Sequence, residues 1–215
     1  MREAVSAVIV AGGRARRLGG HEKGLLCLAG RPLICHILDH VEGRVAATAI
    51  NIRRDARAAY EAVLGADRTW LFDAHPVSCG PLGGVLAGLE WLAHRRRAGL
   101  AGGDWLLTLP VDTPFLPADL AQRLWQACRN APSAPPAVVA EAGGRRHHLC
   151  CLWHGESAGP LRRLVIRHKL RRVGDVLAAL GAHAVGFADA EAFFNINTPE
   201  DLACAEKMIH VRERM

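Results

Sequence analysis

The sequence predicts an α/β protein with one mostly parallel sheet that is covered by helices on both faces. Short apolar runs, typical of buried strands, alternate along the chain with segments whose apolar residues recur at helical spacing. Strands and helices that alternate in this way form right-handed βαβ crossovers, which make neighbouring strands parallel and place helices on both faces of the sheet. Half of the 215 residues are apolar, so the chain can bury one sizeable core.

Each element is predicted from its own local pattern. The apolar run Val5–Val10 predicts the first strand, and residues 32–41 predict a helix because apolar residues recur there at helical spacing after a proline. The same criteria predict further strands at residues 45–52, 70–72, 105–109 and 183–187, and further helices at residues 55–64, 82–94, 117–128, 160–166, 173–180 and from 199 onward. Gly143 and Gly144 indicate a hairpin turn that leads into another strand.

The N-terminus, the lack of long apolar runs and the cysteines predict a soluble protein in a reducing compartment. The N-terminus lacks the apolar stretch and cleavage site of a signal peptide, and no apolar run approaches the roughly 18 residues of a membrane span. We therefore expect a cytoplasmic protein with no membrane partner. Seven cysteines without a CxxC pair indicate reduced thiols and not a disulfide framework or a zinc site. No repeat or low-complexity linker divides residues 1–215, which predicts a single domain.

The net charge of +6 favours an anionic partner. Nucleic acid is not expected, because one tyrosine and five phenylalanines provide few aromatic platforms for base stacking. A phosphorylated small molecule fits the sequence better, since several basic residues stand beside glycines just after the first strand.

That glycine-rich, basic loop lies in VIVAGGRARRLGGHEKGLL, residues 8–26. Gly12 and Gly13 would let backbone N–H groups approach a phosphate without interference from Cβ atoms. The charge that neutralises the phosphate oxygens would come from Arg14, Arg16, Arg17 and Lys23. Neither the P-loop GxxxxGK[ST] nor the dinucleotide fingerprint GxGxxG is present. The structural alternative is a glycine turn with solvated charges.

Asp112 follows another buried strand, within LPVDTPFLPADL at residues 109–120. Ligands of open α/β sheets bind beyond the carboxyl ends of the strands. A carboxylate placed there is a suitable ligand for Mg²⁺, with the phosphates of a nucleotide and water completing the coordination. The alternative is an Asx-turn in a proline-rich loop.

Polar residues and glycines at other strand and helix ends extend this candidate site. Asn51 and Asp73 each end or follow a predicted strand, and GPLGG at residues 80–84 stands at the entry of a helix. Thr198 is placed to be the N-cap of the C-terminal helix. The two asparagines just before this cap, at positions 195 and 197, are expected to face a cleft.

In this order, the motifs resemble those of the molybdenum cofactor guanylyltransferase family. The family pattern LAGGxxxRMGGxDKGLxxLxGxPLxxH is similar to VAGGRARRLGGHEKGLLCLAGRPLICH, residues 10–36. Its GPLAG, CDTPF or CDTPY, and FxNxNTPEDL are similar to GPLGG, VDTPF and FFNINTPEDL here. The departures are Glu22 for aspartate, Val111 for cysteine and Gly83 for alanine. Residues 145–153, RRHHLCCLW, follow the family loosely, so the resemblance assigns no pterin-binding role there.

The resemblance implies a doubly wound, Rossmann-like sheet and a set of site residues. Nucleotide binding would involve Val10, Ala11, Gly12, Gly13, Lys23, Asn51, Asp73 and Asp112. Asp112 would bind Mg²⁺, and the catalytic residues would be Asp112, Lys23 and Arg17. Binding of the acceptor would involve Gly80, Pro81, Leu82, Asn195 and Asn197.

The implied reaction transfers GMP from GTP to the terminal phosphate of the molybdenum-molybdopterin cofactor and releases pyrophosphate. GTP and this cofactor are therefore the expected partners, and molybdoenzyme apo-proteins or their chaperones are further candidate partners. Residues 1 to about 115 would form the nucleotide-binding half and residues from about 116 to 215 the acceptor-binding half. The attacking phosphate is already an anion, so the protein would align the reactants and screen charge without a strong general base.

Three alternatives stay open from the sequence. A cytidylyltransferase of the same cofactor pathway, or a sugar-phosphate nucleotidyltransferase, is the nearest. A GTP-binding protein that delivers cofactor without turnover would not need a metal-binding carboxylate at Asp112. A basic RNA-binding domain would need aromatic platforms, which are scarce here.

Overall fold

The computed structural model describes residues 1–13, 20, 22–73 and 79–212. These residues form a seven-stranded sheet and a separate two-stranded ribbon. The strands of the large sheet are β1 (Val5–Val10), β4 (Thr48–Asn51), β5 (Thr69–Leu71), β6 (Trp105–Pro110), β7 (Ala137–Ala142), β8 (Arg145–His154) and β9 (His183–Phe187). The ribbon pairs β2 (Cys27–Leu28) with β3 (Arg31–Pro32).

The large sheet is mostly parallel, which confirms the predicted fold class. Its strand order is β5-β4-β1-β6-β8-β7-β9, and β8 is the strand that runs against its neighbours. β8 returns from β7 through the predicted hairpin turn, where Gly143 and Gly144 have φ angles of 56° and 70°. Because L side chains rarely adopt positive φ, glycine at both turn positions suits this hairpin.

Helices of the described residues cover both faces of the sheet. They are α1 (Leu33–Val41), α2 (Arg57–Leu64), α3 (Pro81–Arg97), α4 (Leu120–Asn130), α5 (Ala158–Ile166), α6 (Val173–Leu180) and α7 (Pro199–Arg212). On one face α1, α2 and α4 bury residues such as Ile34 and Leu124. On the other face α3, α5 and α6 bury residues such as Leu86 and Leu161. The helix α7 packs beside the two-stranded ribbon.

Several helix boundaries differ from the prediction by one to three residues. Residues 54–56 form a 3-10 turn before α2, so the α-helix begins later than expected. The helix α4 begins at Leu120 because residues 117–119 form a turn, in which the Leu120 N–H donates to the Pro117 carbonyl at 3.0 Å. The helix α3 continues through Arg95–Arg97, where three cations oppose the negative end of the helix dipole.

The seven cysteines are thiols, as predicted. Four of them, at positions 79, 128, 150 and 151, are buried. Burial raises the pKa of Cys128 to about 12, which favours the protonated and unreactive form. None of the helices in the described ranges has the length and apolar character that crossing a membrane requires.

Candidate functional site

The carboxyl ends of β5, β4, β1 and β6 lie side by side at one edge of the sheet, and a cleft of about 480 Å³ opens there. We call it the first cleft. Its lining includes Val10, Gly12, Gly13, Lys23, Asn51, Asp73, Gly80, Pro81 and Asp112. The parallel order of these strands therefore brings together residues that are far apart in the sequence.

The predicted nucleotide-binding residues line the first cleft, except for Ala11. Ala11 is fully buried. Its N–H donates to the Asn51 carbonyl at 2.8 Å, and its carbonyl accepts from the Tyr60 hydroxyl at 3.3 Å. These bonds hold the start of the glycine loop after β1. Arg17, predicted to be catalytic, lies outside the described residues, as do Arg14 and Arg16.

Lys23 connects two sides of the site. Its Nζ donates to Asp112 Oδ2 at 2.6 Å and to Asn197 Oδ1 at 2.6 Å. The side chains of Lys23 and Asp112 are only 13% and 18% exposed, so water screens this ion pair less than it screens a surface pair. The position of the Lys23 ammonium indicates that the Asp112 carboxylate can receive a cation.

The loop that carries Asp112 is joined to the segment before α7. The Ile196 N–H donates to the Asp112 carbonyl at 2.9 Å. Next to it, the buried Thr113 hydroxyl donates to Asn195 Oδ1 at 2.8 Å. This bond holds Asn195 beside Asp112, although Asn195 lies 82 positions after Thr113 in the sequence.

The predicted N-cap of α7 is confirmed. The Thr198 hydroxyl accepts from the Asp201 N–H at 3.2 Å, and the Asp201 carboxylate accepts from the Thr198 N–H at 2.9 Å. The same carboxylate accepts from the Asn197 N–H at 2.9 Å. The Asn197 and Thr198 N–H groups lower the pKa of Asp201, because they stabilise its charged form. Asn197 is therefore held at the end of a stable cap.

At the other end of the first cleft, Asn51 and Asp73 form a hydrogen-bonded pair under α3. Asn51 is 2% exposed, and its Nδ2 donates to Asp73 Oδ1 at 3.0 Å and to the Leu71 carbonyl at 3.4 Å. A Cβ atom at Gly84 would lie 2.4 Å from Asn51 Oδ1, and one at Gly83 would lie 2.3 Å from Asp73 Oδ2. The paired glycines of GPLGG thus let the first turn of α3 approach both side chains.

These contacts predict that Gly84→Ala lowers the free energy of unfolding by about 1–3 kcal/mol, the usual cost of overpacking. The Asn51 amide is buried and hydrogen-bonded, and Val10 Cγ1 would lie 3.1 Å from the new Cβ atom, so neither neighbour can easily move. Gly83→Ala is the matched control, because the nearest atoms to its Cβ belong to the exposed Asp73 carboxylate, which can rotate away. Thermal unfolding of both variants tests this, and a wild-type melting temperature for Gly84→Ala would contradict it.

A second cleft, of about 550 Å³, adjoins the first. The two clefts share the lining residues Pro81, Pro110, Asp112 and Leu149. Four arginines line the second cleft, Arg145, Arg146, Arg171 and Arg172. Asp112 therefore lies where the first cleft meets a strongly basic cavity.

These four arginines are not among the residues predicted for acceptor binding. Arg145 and Arg146 begin β8, which pairs with β6 in the antiparallel direction, so its first residues lie at the edge that carries Asp112. Arg171 and Arg172 reach the same cavity from the segment before α6. Both pairs of arginines are visible in the sequence, but only the pairing of β8 with β6 and the packing of α6 against β8 bring them close to Asp112.

The predicted acceptor residues are divided between several places. Pro81 lines both clefts, Asn195 lines the second cleft and Gly80 lines the first. Leu82 is fully buried in the core and lines neither cleft. Asn197 also lines neither, and instead accepts the hydrogen bond from Lys23.

The adjacent histidines of β8 point to opposite faces of the sheet, as expected for neighbours on a strand. The His147 ring stacks on Phe193 with 4.3 Å between ring centres, while a Cβ atom at Gly174 would lie 2.7 Å from the His148 ring. Burial, and then the nearby Arg145 cation, lower the pKa of both histidines. At neutral pH, the positive charge of the second cleft therefore comes from its arginines.

The residues present fit a magnesium ion that arrives with a nucleotide. Among the described residues, no group of three or more histidine, cysteine, aspartate or glutamate side chains could hold a metal ion by itself. Mg²⁺ usually takes one or two protein carboxylates and completes its octahedron with phosphate oxygens and water. The Asp112 carboxylate, which already receives the Lys23 ammonium, can provide such a ligand.

Comparisons with known proteins agree with this geometry. Residues 7–184 match the family model of the MobA-like NTP transferase domain. A molybdenum cofactor guanylyltransferase from Cereibacter sphaeroides is 44% identical over 203 residues, which cover 94% of this chain and 95% of the relative. A protein of the same name from Acidiphilium cryptum is 44% identical over 202 residues, covering 93% of each chain.

A solved structure supports the fold independently. The molybdopterin-guanine dinucleotide biosynthesis protein A from Archaeoglobus fulgidus is 22% identical, with a TM-score of 0.74 over 96% of this chain and 100% of that chain. At this identity, the similarity supports the fold alone. The family to which the chain belongs is shown by the family model and by the relatives above. The chain therefore belongs to the MobA-like NTP transferase family and, within it, is a nucleotidyltransferase of the molybdenum cofactor guanylyltransferase group.

Proposed function

We propose that this protein transfers GMP from Mg-GTP to the terminal phosphate of the molybdenum-molybdopterin cofactor, giving molybdopterin guanine dinucleotide and pyrophosphate. The observation that carries the proposal is the meeting of two clefts at Asp112. Transfer between two phosphorylated substrates requires both to be held at one reaction point. The name that the relatives carry, molybdenum cofactor guanylyltransferase, supports a guanine nucleotide and the molybdenum cofactor as the two substrates.

The first cleft suits a nucleoside triphosphate. It extends from Asp112 after β6 to Asp73 after β5, which are three strand spacings apart, roughly 14 Å. Phosphates placed beside Gly12, Gly13 and Lys23 would leave the base near Asp73. The phosphates would then receive backbone N–H groups and a cation, which are the usual partners of phosphate oxygens.

Asp73 supports guanine as the base. Its exposed carboxylate lines the first cleft and already accepts one hydrogen bond, from Asn51. Guanine offers N1–H and N2 amino donors to such a carboxylate, whereas adenine and cytosine present an acceptor at the corresponding ring nitrogen. A base without these donors would cover the Asp73 carboxylate and leave it unpaired, which is a strong source of selectivity.

The second cleft suits the anionic acceptor. Its four arginines can form forked hydrogen bonds to phosphate oxygens and offset the negative charge of the acceptor. Thr113 and Asn195 line the same cavity next to Asp112 and can orient the acceptor by hydrogen bonds. We infer that the acceptor phosphate lies near Asp112, where the two clefts meet.

The chain's own residues would act by alignment and charge screening. When bound, Mg²⁺ neutralises charge on the phosphates, and Asp112 is the residue that would hold it. Lys23, released from its ion pair, would contact phosphate oxygens beside Asp112. Asn197 holds the Lys23 ammonium in place before substrate arrives.

The two clefts support a division of the chain into a nucleotide-binding part and an acceptor-binding part. We infer that residues 1 to about 115 form the nucleotide-binding half and that residues from about 116 to 215 provide most of the acceptor-binding half. Molybdoenzyme apo-proteins or their chaperones would be the recipients of the product. Arg17 would add a further cation to the phosphates from the glycine loop.

The proposal predicts that GTP is the preferred nucleotide. Competitive turnover with GTP, CTP, ATP and UTP, in the presence of Mg²⁺ and molybdenum-molybdopterin cofactor, tests it by the dinucleotide formed and the pyrophosphate released. We expect GTP to be used at least about a hundredfold better than CTP, since mismatched polar groups typically cost several kcal/mol. Equal or better use of CTP would indicate a cytidylyltransferase, and tight GTP binding without pyrophosphate release would indicate a delivery protein.

A further inference from the structure

An arginine and a phenylalanine contact each other in the first cleft, close to Asp73. The Arg54 Cζ lies 4.6 Å from the centre of the Phe72 ring, above its face. Both residues line the first cleft, and Phe72 directly precedes Asp73 in the chain. A cation over an aromatic face is attracted to the ring, so Phe72 restrains the Arg54 guanidinium at this position.

Arg54 differs from the two neighbouring arginines in its partners. Arg53 donates to Asp55 at 2.9 Å and also contacts Glu22 at 3.0 Å, and Arg57 donates to Glu61 at 2.7 Å. Within residues 1–13, 20, 22–73 and 79–212, Arg54 has its ring contact but no carboxylate partner. Its forked N–H donors are therefore available to a ligand in the cleft.

Arg54 lies at the end of the cleft where the base is expected. The 3-10 turn that carries it begins just after β4, and Phe72 follows β5. The strand order at this end of the sheet is β5-β4-β1-β6. The glycine loop follows β1 and Asp112 follows β6, so both lie away from β5. Phosphates near Asp112 thus direct the base toward β4 and β5.

We propose that Arg54, supported by the Phe72 ring, determines base specificity by donating hydrogen bonds to O6 and N7 of guanine. Asp73 would accept from the N1–H and N2 amino groups on the adjoining edge of the same base. Forked arginine donors match the paired O6 and N7 acceptors of guanine, and this pattern distinguishes it from adenine, which presents an amino donor beside N7. The inference rests on the proposed function, because it requires GTP in the first cleft.

The test compares binding of Mg-GTP with binding of Mg-7-deaza-GTP, in which a C–H group replaces N7. We expect the wild-type protein to bind 7-deaza-GTP roughly tenfold more weakly than GTP, as measured by calorimetry. In Arg54→Ala, both ligands should bind more weakly than GTP binds to the wild type, and the ratio of their dissociation constants should fall to about one. The change in this ratio isolates the contact between Arg54 and N7.

Two further variants make the result specific. Arg57→Ala is the matched control, because Arg57 is a nearby exposed arginine that is paired with Glu61 and does not line the cleft. It should keep the wild-type ratio. Phe72→Leu leaves Arg54 present but removes its aromatic support, so it should reduce the ratio without abolishing GTP binding.

The outcomes separate this inference from the proposed function. A wild-type protein that binds GTP and 7-deaza-GTP equally, or an Arg54→Ala variant that keeps the wild-type ratio, would overturn the role of Arg54 while leaving guanylyl transfer intact. A wild-type protein that prefers CTP in the turnover assay would instead overturn the proposed function. Thermal unfolding of each variant tests for loss of structure. Arg54 is exposed, so its truncation should leave the core unchanged, whereas Phe72 packs partly against the core and its variant needs this check.

Discussion

Asp112→Asn is expected to slow guanylyl transfer by about a hundredfold or more while the protein stays folded. Asparagine keeps the shape of the side chain, and its oxygen can still accept the hydrogen bond from Lys23. It cannot supply the negative charge that holds a magnesium ion beside the phosphates. The catalytic role therefore predicts a large loss of rate with a small change in melting temperature, whereas an Asx-turn would predict nearly normal activity.

The decisive measurement is turnover across a magnesium titration, with thermal unfolding recorded in parallel. Asp119→Asn is the matched control, because Asp119 lies in the same proline-rich loop and its side chain makes no capping hydrogen bond to α4. This control should retain the wild-type rate and magnesium dependence. A folded Asp112→Asn variant with near-wild-type rate would show that the carboxylate is not the metal ligand.

Lys23→Ala is expected to weaken GTP binding by about ten- to a hundredfold, since a hydrogen bond to a charged group contributes roughly 1.5–3 kcal/mol. The structure predicts a second effect of Lys23→Ala, on the groups that Lys23 contacts. Without the Lys23 ammonium, the Asp112 carboxylate loses its ion pair and the Asn197 side chain loses its hydrogen-bond donor. We therefore expect Lys23→Ala to slow transfer as well, because two contacts that position the site are lost together.

Calorimetric titration with Mg-GTP and steady-state turnover check this prediction. Lys207→Ala provides the comparison, since Lys207 is an exposed lysine of α7 that lines neither cleft. Lys23→Arg keeps the positive charge and should retain part of the affinity. If Lys23→Ala and Lys207→Ala bind GTP equally well, Lys23 has no role in GTP binding and its pairing with Asp112 is only structural.

Local patterns in the sequence predict much of the fold. The strands Val5–Val10 and His183–Phe187 and the helix Val173–Leu180 have the predicted boundaries, because each is bounded by a clear change in the periodicity of apolar residues. The two-stranded ribbon of β2 and β3 has no such signal, since each strand has only two residues. Helix starts are less predictable where a turn precedes the helix, as at residues 117–119.

The first cleft could be predicted because its residues stand directly at the ends of recognisable strands. Gly12, Asn51, Asp73 and Asp112 each end or follow an apolar run, and a parallel sheet necessarily brings such ends to one edge. The family resemblance adds the chemistry expected of each residue. The roles of these residues stay predictions until the variants above are measured.

The α/β fold class could be predicted from the sequence alone, because the periodicity of apolar residues is a local property. The nucleotidyltransferase activity was implied by the resemblance of the motifs to those of a known family. Which charged side chains lie close together depends on the folded structure. It placed Lys23 between Asp112 and Asn197, brought four arginines to a second cleft and put Arg54 on the ring of Phe72. These contacts depend on strand order, on the reversed direction of β8 and on the cap of α7. Such long-range geometry is set by packing of the whole chain, and no short segment carries it.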